Sequence, residues 1–297
     1  MKVLILGSTG FVGRNIAENL SEKITVIQTS RAGQGEYKKS EIYFDLFSRD
    51  SWMNIVDIAP DVLINAVAYG VVKLETDHDI LYKTNYLFIS DLYKYLQDHG
   101  CRPFWLQLGT AFEYDLSVQE IREESPCLPR THYGISKLMM SNYLQSKGEA
   151  GNFSVMRPFG MFGKYEDESK FFPYLINAQK KNSFVDLSSG TQKRDYIYVK
   201  DLGHFINKLL VEKKINDLPS VLNVGSGKAM SFLEYASLLQ ASIPSFKTDL
   251  WQWGKIDFRP DESPLFYSAS KRAAEFGFMN TAIEEALGET VSYYFSK

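Results

Sequence analysis

The chain runs to 297 residues, 44% of them hydrophobic and 23% charged, which excludes a disordered segment and a coiled coil and allows one large α/β body or two lobes. Its formal net charge of -3 excludes the basic field that holds nucleic acid, so no nucleic-acid partner is expected. The first apolar run stops at Gly7, no run approaches the ~18 residues of a membrane helix, and Cys101 and Cys127 lack metal or redox spacing. A cytoplasmic protein with neither membrane nor metal partner is the expectation.

In chain order, Lys2–Leu6 reads as a strand, Gly13–Ser21 as a helix and Ile24–Gln28 as a second strand. Asp61–Ala66, Phe104–Leu108 and Phe153–Met156 are further β-rich runs, separated by helical patterns at Ile80–Gln97 and Tyr133–Gln145. Strands alternating with helices predict a parallel sheet covered on both faces. Tyr196–Val199 and Val221–Val224 read as additional strands. Phe162–Gly190 and Lys228–Glu284, with Pro173, Pro244, Pro260 and Pro264, break the alternation and read as interleaved parts of a smaller lobe.

Gly7-Ser8-Thr9-Gly10-Phe11-Val12-Gly13 follows the first strand and opens the first helix. Glycines at that spacing let the backbone turn tightly and approach a pyrophosphate, which lies against the positive helix end. A purely structural βα turn has the same composition, but the position between strand and helix favours a dinucleotide. The second strand leads into Thr29-Ser30-Arg31, with no carboxylate for the ribose hydroxyls and an arginine suited to a 2′-phosphate. NADP(H) is therefore the expected cofactor, with NAD(H) as the alternative should Arg31 be an ordinary loop cation.

Tyr133 and Lys137 stand four residues apart, on one face of a helix and one turn from each other. A free phenol titrates at about 10 and is a poor acid–base group at neutral pH. A neighbouring ammonium favours the phenolate, so Lys137 is expected to lower the Tyr133 pKa. Thr110, just past the strand Phe104–Leu108, is placed to supply a second hydroxyl to a carbonyl oxygen. Such a pair alone is usually surface decoration; the glycine turn and the strand-end hydroxyl make it specific.

Together, Gly7–Gly13, Asp45-Leu46, Asn65–Ala68, Asn85, Thr110, Tyr133 with Lys137, Arg157–Gly163, Arg194–Val199, Asn223–Gly227 and Arg259–Glu262 resemble the extended short-chain dehydrogenase/reductase family, the NAD-dependent epimerase/dehydratases, over essentially the whole chain. The resemblance implies an α/β fold: a Rossmann-type doubly wound parallel sheet with a smaller interleaved C-terminal substrate lobe. Residues 1–157 with 194–227 would bind the dinucleotide, and 158–193 with 228–297 the substrate. Beside Gly7, Thr9, Gly10, Phe11, Val12, Gly13, Ser30 and Arg31, the cofactor would meet Asp45 at its adenine amine with Leu46 alongside, Ala66 and Ala68 at pyrophosphate and ribose, and Asn85 near the nicotinamide. The resemblance makes Tyr133 the acid–base residue, Lys137 its tuner and ribose ligand, and Thr110 the hydroxyl partner. Ala111 and Phe112 would face the substrate, commonly a nucleoside diphosphate sugar, with Arg194 and Arg259 at its diphosphate and Glu262 at its ribose. A salt bridge from Arg194 to Asp195 or Asp201 is the competing structural role. Relatives pair the helices matching Ile80–Gln97 and Tyr133–Gln145, so a homodimer is expected.

Several reactions share this scaffold. Dehydratases of the family follow the catalytic threonine with Asp and Glu, whereas Thr110 is followed by Ala111 and Phe112, which disfavours dehydration. Glu113 would contact substrate or close a turn. Gly160 stands where relatives often carry a diphosphate-binding asparagine, in Arg157-Pro-Phe-Gly160-Met-Phe-Gly163. With Arg31 taken to select NADP(H), the expected function is reduction of a 4-keto-6-deoxy nucleotide sugar, hydride going to C4 and Tyr133 giving the proton. The alternatives are a nucleotide-sugar 4-epimerase with tightly bound NAD and, from another class, a non-catalytic NADP(H)-sensing protein.

Overall fold

The structure is a computed structural model that describes residues 1–30, 41–71, 75–148, 152–257 and 263–297. The chain opens with β1 (Lys2–Leu6), α1 (Phe11–Asn19), β2 (Thr25–Ser30), β3 (Glu41–Tyr43), α2 (Arg49–Ile58) and β4 (Val62–Asn65). Then come α3 (His78–Tyr82), a π-helical turn at Lys83–Leu87, α4 (Phe88–Asp98) and β5 (Phe104–Leu108). A 3₁₀ turn at Ala111–Glu113 leads to β6 (Glu120–Ile121), α5 (His132–Gln145), β7 (Phe153–Pro158) and β8 (Gly160–Phe162). The chain continues through α6 (Phe171–Lys181), β9 (Val185–Asp186), β10 (Lys193–Arg194), β11 (Tyr196–Tyr198), α7 (Val199–Val211) and β12 (Val221–Val224). It closes with β13 (Met230–Ser231), α8 (Phe232–Ser242), β14 (Trp251–Gln252), β15 (Leu265–Ser268), α9 (Arg272–Glu275) and α10 (Ile283–Ser296).

Seven parallel strands form the main sheet in the order β12-β7-β5-β4-β1-β2-β3. β1, β4, β5 and β7 are apolar almost without interruption and buried along their length, as strands covered on both faces must be. One face packs Val3, Ile5, Val62 and Leu106 against α1 and α7. The other packs Leu4, Leu6, Leu63, Trp105 and Val155 against α2, α4 and α5. Sheet order reverses between β1 and β4, and in such sheets that switch point, at the carboxyl ends of the strands, is where ligands bind. The doubly wound Rossmann-type sheet expected from the sequence is therefore present.

A third core lies outside this sheet, where α6, α8 and α10 enclose Phe162, Phe172, Leu175, Tyr235, Leu239 and Tyr294. Short sheets accompany this lobe: β13-β10-β15-β6, β11-β8 and β14-β9, the last lying within the third core through Val185 and Trp251. Two elements differ from expectation. The strand expected at Tyr196–Val199 is β11, which pairs with β8 rather than joining the main sheet. The helix expected over Ile80–Gln97 is interrupted by the π turn, an i→i+5 bulge that shifts register by one residue.

Candidate active site

β1 ends at Leu6 and the chain turns through Gly7 with φ +77°, a conformation that disfavours any side chain. A Cβ on Gly7 would lie 3.0 Å from the backbone of Ala66 and Val67, and one on Gly13 would lie 2.2 Å from the Gly7 carbonyl oxygen. These glycines let the ends of β1, β4 and α1 close upon one another at the switch point. Gly10 caps α1 without a side-chain bond, and no acidic residue stands in the first turn, which leaves the positive helix end facing an anion. Thr9 and Gly10 are exposed, Phe11 and Val12 half-buried.

The walls of this cradle are fixed by polar side chains. Ser8 Oγ donates to the Thr29 carbonyl at 3.0 Å and accepts from the Thr29 N–H at 3.1 Å. Thr29 Oγ1 turns back to the Ile5 carbonyl at 3.1 Å, and the Ser30 carbonyl accepts from Phe44 N–H. Asp45 and Leu46 follow β3 half-buried, with Asp45 Oδ1 accepting from Phe47 N–H at 2.8 Å. Buried Asn65 accepts from Val67 N–H at 3.1 Å and donates to Gln107 Oε1 at 2.9 Å, shaping the turn that presents half-buried Ala66 and exposed Ala68. A glycine turn that one Cβ would fill, set against an uncapped helix, fits the pyrophosphate of a dinucleotide. Arg31 lies outside the described residues.

α5 carries the candidate chemical groups. Thr131 Oγ1 caps it by accepting from Gly134 N–H at 3.1 Å. Gly134 lets the helix start approach the 3₁₀ turn: a Cβ there would meet the Phe112 carbonyl oxygen at 2.3 Å. Tyr133 is thereby brought close to Thr110, whose side chain favours its phenolate. One turn on, Lys137 is buried and its Nζ donates to the Leu108 carbonyl at 2.5 Å. The expected pair is present in space, but its electrostatics differ from expectation. Burial pushes the Tyr133 phenol up, Glu113 and Glu75 push it the same way, and only the Thr110 side chain opposes them. Burial also pulls the Lys137 ammonium down to about 8, against the attraction of Glu113. The ammonium is aimed at a backbone carbonyl, so the chain alone does not produce the lowered phenol pKa that the spacing implied.

Asn85, within the π turn, is buried and its amide is spent on the protein. It accepts from Tyr69 N–H at 2.8 Å and donates to the Tyr69 carbonyl at 2.9 Å and Ser136 Oγ at 3.0 Å. It thus fixes the segment after β4 to α5, beside Lys137. Two residues that sequence reasoning did not place here are Arg157 and Ser141. Glu113 closes the 3₁₀ turn through a capping box with Thr110 and pairs with Arg157 at 2.8 Å, both essentially fully buried. Ser141 donates to the same carboxylate at 2.6 Å. The Thr-x-x-Glu pattern was a readable signal for the turn; nothing in the sequence links Glu113 to Arg157.

On the substrate side, Phe112 is 42% exposed and meets Tyr133 edge-on at 6.5 Å, whereas Ala111 is packed into a small cluster with Tyr114, Ile121, Phe159 and Phe266. Arg194 is buried, donates to the Lys193 carbonyl at 2.8 Å and lies over the Phe266 ring at 4.8 Å. Among the described residues it makes no ion pair with Asp195 or Asp201: the first accepts from Ser226, Gly227 and Ser268, the second from Thr281. Arg259 and Glu262 lie outside the described residues. Among the described residues no cluster of metal-ligating side chains is found, and no helix is long and apolar enough to cross a membrane.

A glycine-cradled helix start beside a Tyr–Lys–Thr constellation, at the carboxyl ends of a parallel sheet, defines a dinucleotide-dependent oxidoreductase of the short-chain dehydrogenase type. The chain belongs to the NAD dependent epimerase/dehydratase family, whose pattern matches residues 3–225. It is similar to CDP-abequose synthase of Salmonella typhimurium, 24% identical over 295 residues that cover 93% of this chain and 92% of that one. Its fold matches that of UDP-glucose 4-epimerase of Thermus thermophilus in complex with NAD, with TM-score 0.83, 19% identity and 99% of both chains covered. It also matches UDP-glucuronic acid 4-epimerase of Bacillus cereus in complex with UDP-glucuronic acid and NAD, with TM-score 0.86, 19% identity and 100% and 99% covered.

Two expectations are corrected by these likenesses. The preference for NADP(H) rested on Arg31, but the matching structures named here hold NAD. The 4-keto sugar reductase rested on that cofactor and falls with it; the two matching structures named above are of 4-epimerases.

Proposed function

We propose that this chain is a nucleotide-sugar 4-epimerase that works with tightly bound NAD. The observation that carries the reading is the stripe of α5 on which half-buried Tyr133 and buried Lys137 stand one turn apart, with Lys137 held against the Leu108 carbonyl just before Thr110. Residues 1–157 with 194–227 would hold the cofactor: Gly7, Gly10 and Gly13 at the pyrophosphate, Asp45 and Leu46 at the adenine, Ala66 and Ala68 along the ribose. Residues 158–193 with 228–297 would hold the sugar nucleotide, with Arg194 and Arg259 at the diphosphate, where guanidinium groups bind phosphate in bidentate fashion, and Glu262 at the nucleoside ribose.

Bound NAD supplies a hydride acceptor and donor for C4 and, when oxidised, a positive charge that favours the phenolate. Tyr133 takes the proton of the 4-hydroxyl as the alcohol becomes a ketone. It returns that proton to the ketone oxygen after the sugar has turned its other face. Thr110 holds the same oxygen through both halves, and Lys137 secures the end of β5 that carries Thr110. Phe112 offers an apolar edge to the sugar beside Tyr133. Burial holds the phenol of the chain alone in its protonated form, so the phenolate that takes the first proton depends on the charge of bound oxidised NAD.

A homodimer is part of the proposal, supported by the exposed apolar side chains Ile80, Leu87 and Met139 on the α3–α4 and α5 surfaces. A cytoplasmic setting is supported by two unpaired cysteines. The test is direct. Purified protein should carry NAD and interconvert a nucleotide sugar and its C4 epimer without net cofactor use. Tyr133→Phe should keep the NAD and lose about 10²–10⁴ in kcat. Stoichiometric consumption of NADPH by a keto sugar would sink the reading.

A further inference from the structure

The pocket contains a buried charge to which the proposed chemistry gives no task. Glu113 has no exposed surface, and both carboxylate oxygens are engaged. Oε1 accepts from the Thr110 N–H at 2.9 Å. Oε2 accepts from Arg157 Nε and Nη2, each at 2.8 Å, and from Ser141 Oγ at 2.6 Å. Arg157 is itself braced, lying over the Tyr114 ring at 4.5 Å, while Tyr114 donates to Asn223 Oδ1 at 2.8 Å on β12. The carboxylate therefore joins the end of β5, the buried face of α5 and two further strands.

Ser141 extends the Tyr133–Lys137 stripe by one more turn. α5 consequently grips the Thr110 segment twice. Lys137 holds the Leu108 carbonyl, and Ser141 holds the Thr110 N–H through Glu113. Thr110 cannot shift relative to Tyr133 without breaking one of these links. We propose that Glu113, clamped by Arg157 and Ser141, is a positioning residue that fixes Thr110 against Tyr133 and supplies the negative charge felt by both Tyr133 and Lys137. The proposal rests on the acid–base roles assigned above.

The groups facing the pair are few. Tyr133 and Lys137 come from α5, Glu113 from the 3₁₀ turn with Arg157 of β7 against it, and Glu75 from the segment before α3. Glu113 is the charge that acts on both members of the pair, opposing the phenolate and favouring the ammonium. A charged positioning residue must therefore leave a mark on titration, whereas a merely structural ion pair need leave one only on stability.

The experiment is an NMR titration of lysine ¹³Cε resonances, with Lys137 assigned through Lys137→Arg, alongside kinetics on UDP-glucose as probe. In the wild-type chain the Lys137 midpoint is expected at about 8, pulled down from 10.5 by burial. In Glu113→Gln it should fall by about half a unit or more, because the favourable charge is gone and Arg157 is left unpaired. Glu113→Asp keeps the charge but not the reach, so the midpoint should stay near wild type while kcat falls by about tenfold or more at similar KM. Should Glu113→Gln not fold, Glu113→Gln with Arg157→Met removes both buried charges together, and the midpoint should again fall. An unchanged midpoint in the Gln variants, with only the melting temperature reduced, overturns the proposal. A shifted midpoint in a chain that turns over no nucleotide sugar would instead overturn the 4-epimerase reading and leave Glu113 in its role.

Discussion

At Lys137 burial and charge pull in opposite directions, and burial prevails. The ammonium is nearly inaccessible, and its pKa falls from 10.5 to about 8 despite Glu113. Below pH 8 both folded and unfolded chains hold the proton, and the full cost of burying the charge is present. Between about 8 and 10.5 the folded chain has released the proton while the unfolded chain keeps it, so stability rises with pH across that window. Urea unfolding of wild type and Lys137→Met at pH 7, 9 and 10.5 should therefore show the wild type gaining on the variant by on the order of 3 kcal/mol. A difference that stays flat would mean that Lys137 is solvated. The pairing of Tyr133 with Lys137 was legible because a helix repeats every 3.6 residues. The direction of the Tyr133 shift was not, because it depends on Glu113 and Glu75, distant in the chain, and on the amount of solvent excluded.

Among the elements, the passage from β1 to α1 is the one most fully encoded locally. Its glycines are required by close backbone approach and by a positive φ, and both needs were readable from the spacing. Gly13→Ala puts a Cβ 2.2 Å from the Gly7 carbonyl oxygen, so α1 must retreat from the turn. The expected cost is about 1–3 kcal/mol of stability, as for other overpacked contacts. Affinity for NAD should fall by about tenfold or more, the equivalent of 1.4 kcal/mol lost at the helix end. Thermal melts and calorimetric titration with NAD check both; unchanged affinity would place the pyrophosphate elsewhere. The π turn between α3 and α4 shows the opposite case. Its apolar residues keep helical spacing, so the pattern predicted one helix. The bulge is set by Asn85 bonding to Tyr69 and Ser136, partners from other elements.

For the molecule as a whole, the three cores are joined by polar contacts across the lobes. Lys164 and Tyr165 reach Glu18 of α1, and Lys170 donates to the Val71 carbonyl. The exposed apolar residues of α3–α4 and α5 stand apart from these contacts. If two copies pair there, Leu87→Glu combined with Met139→Glu should turn a dimer into a monomer in sedimentation velocity, with the far-UV spectrum unchanged. A wild type that sediments as a monomer at micromolar concentration would refute the dimer.

By itself the sequence determined the parallel sheet, the glycine turn, the placing of Tyr133 and Lys137 on one helix face and the family, because each is written in contiguous residues or in a fixed helical period. The smaller lobe was visible only as a break in that pattern. Its strands β8 and β11 pair with each other through crossovers that local preference does not specify. Tertiary structure alone decided that Glu113 meets Arg157 and Ser141, that Arg194 lies over Phe266 rather than pairing with Asp195, and that Lys137 turns to Leu108. Local backbone preference acts over a few residues, whereas a buried charge is governed by whichever groups the completed fold brings within a few ångströms of it.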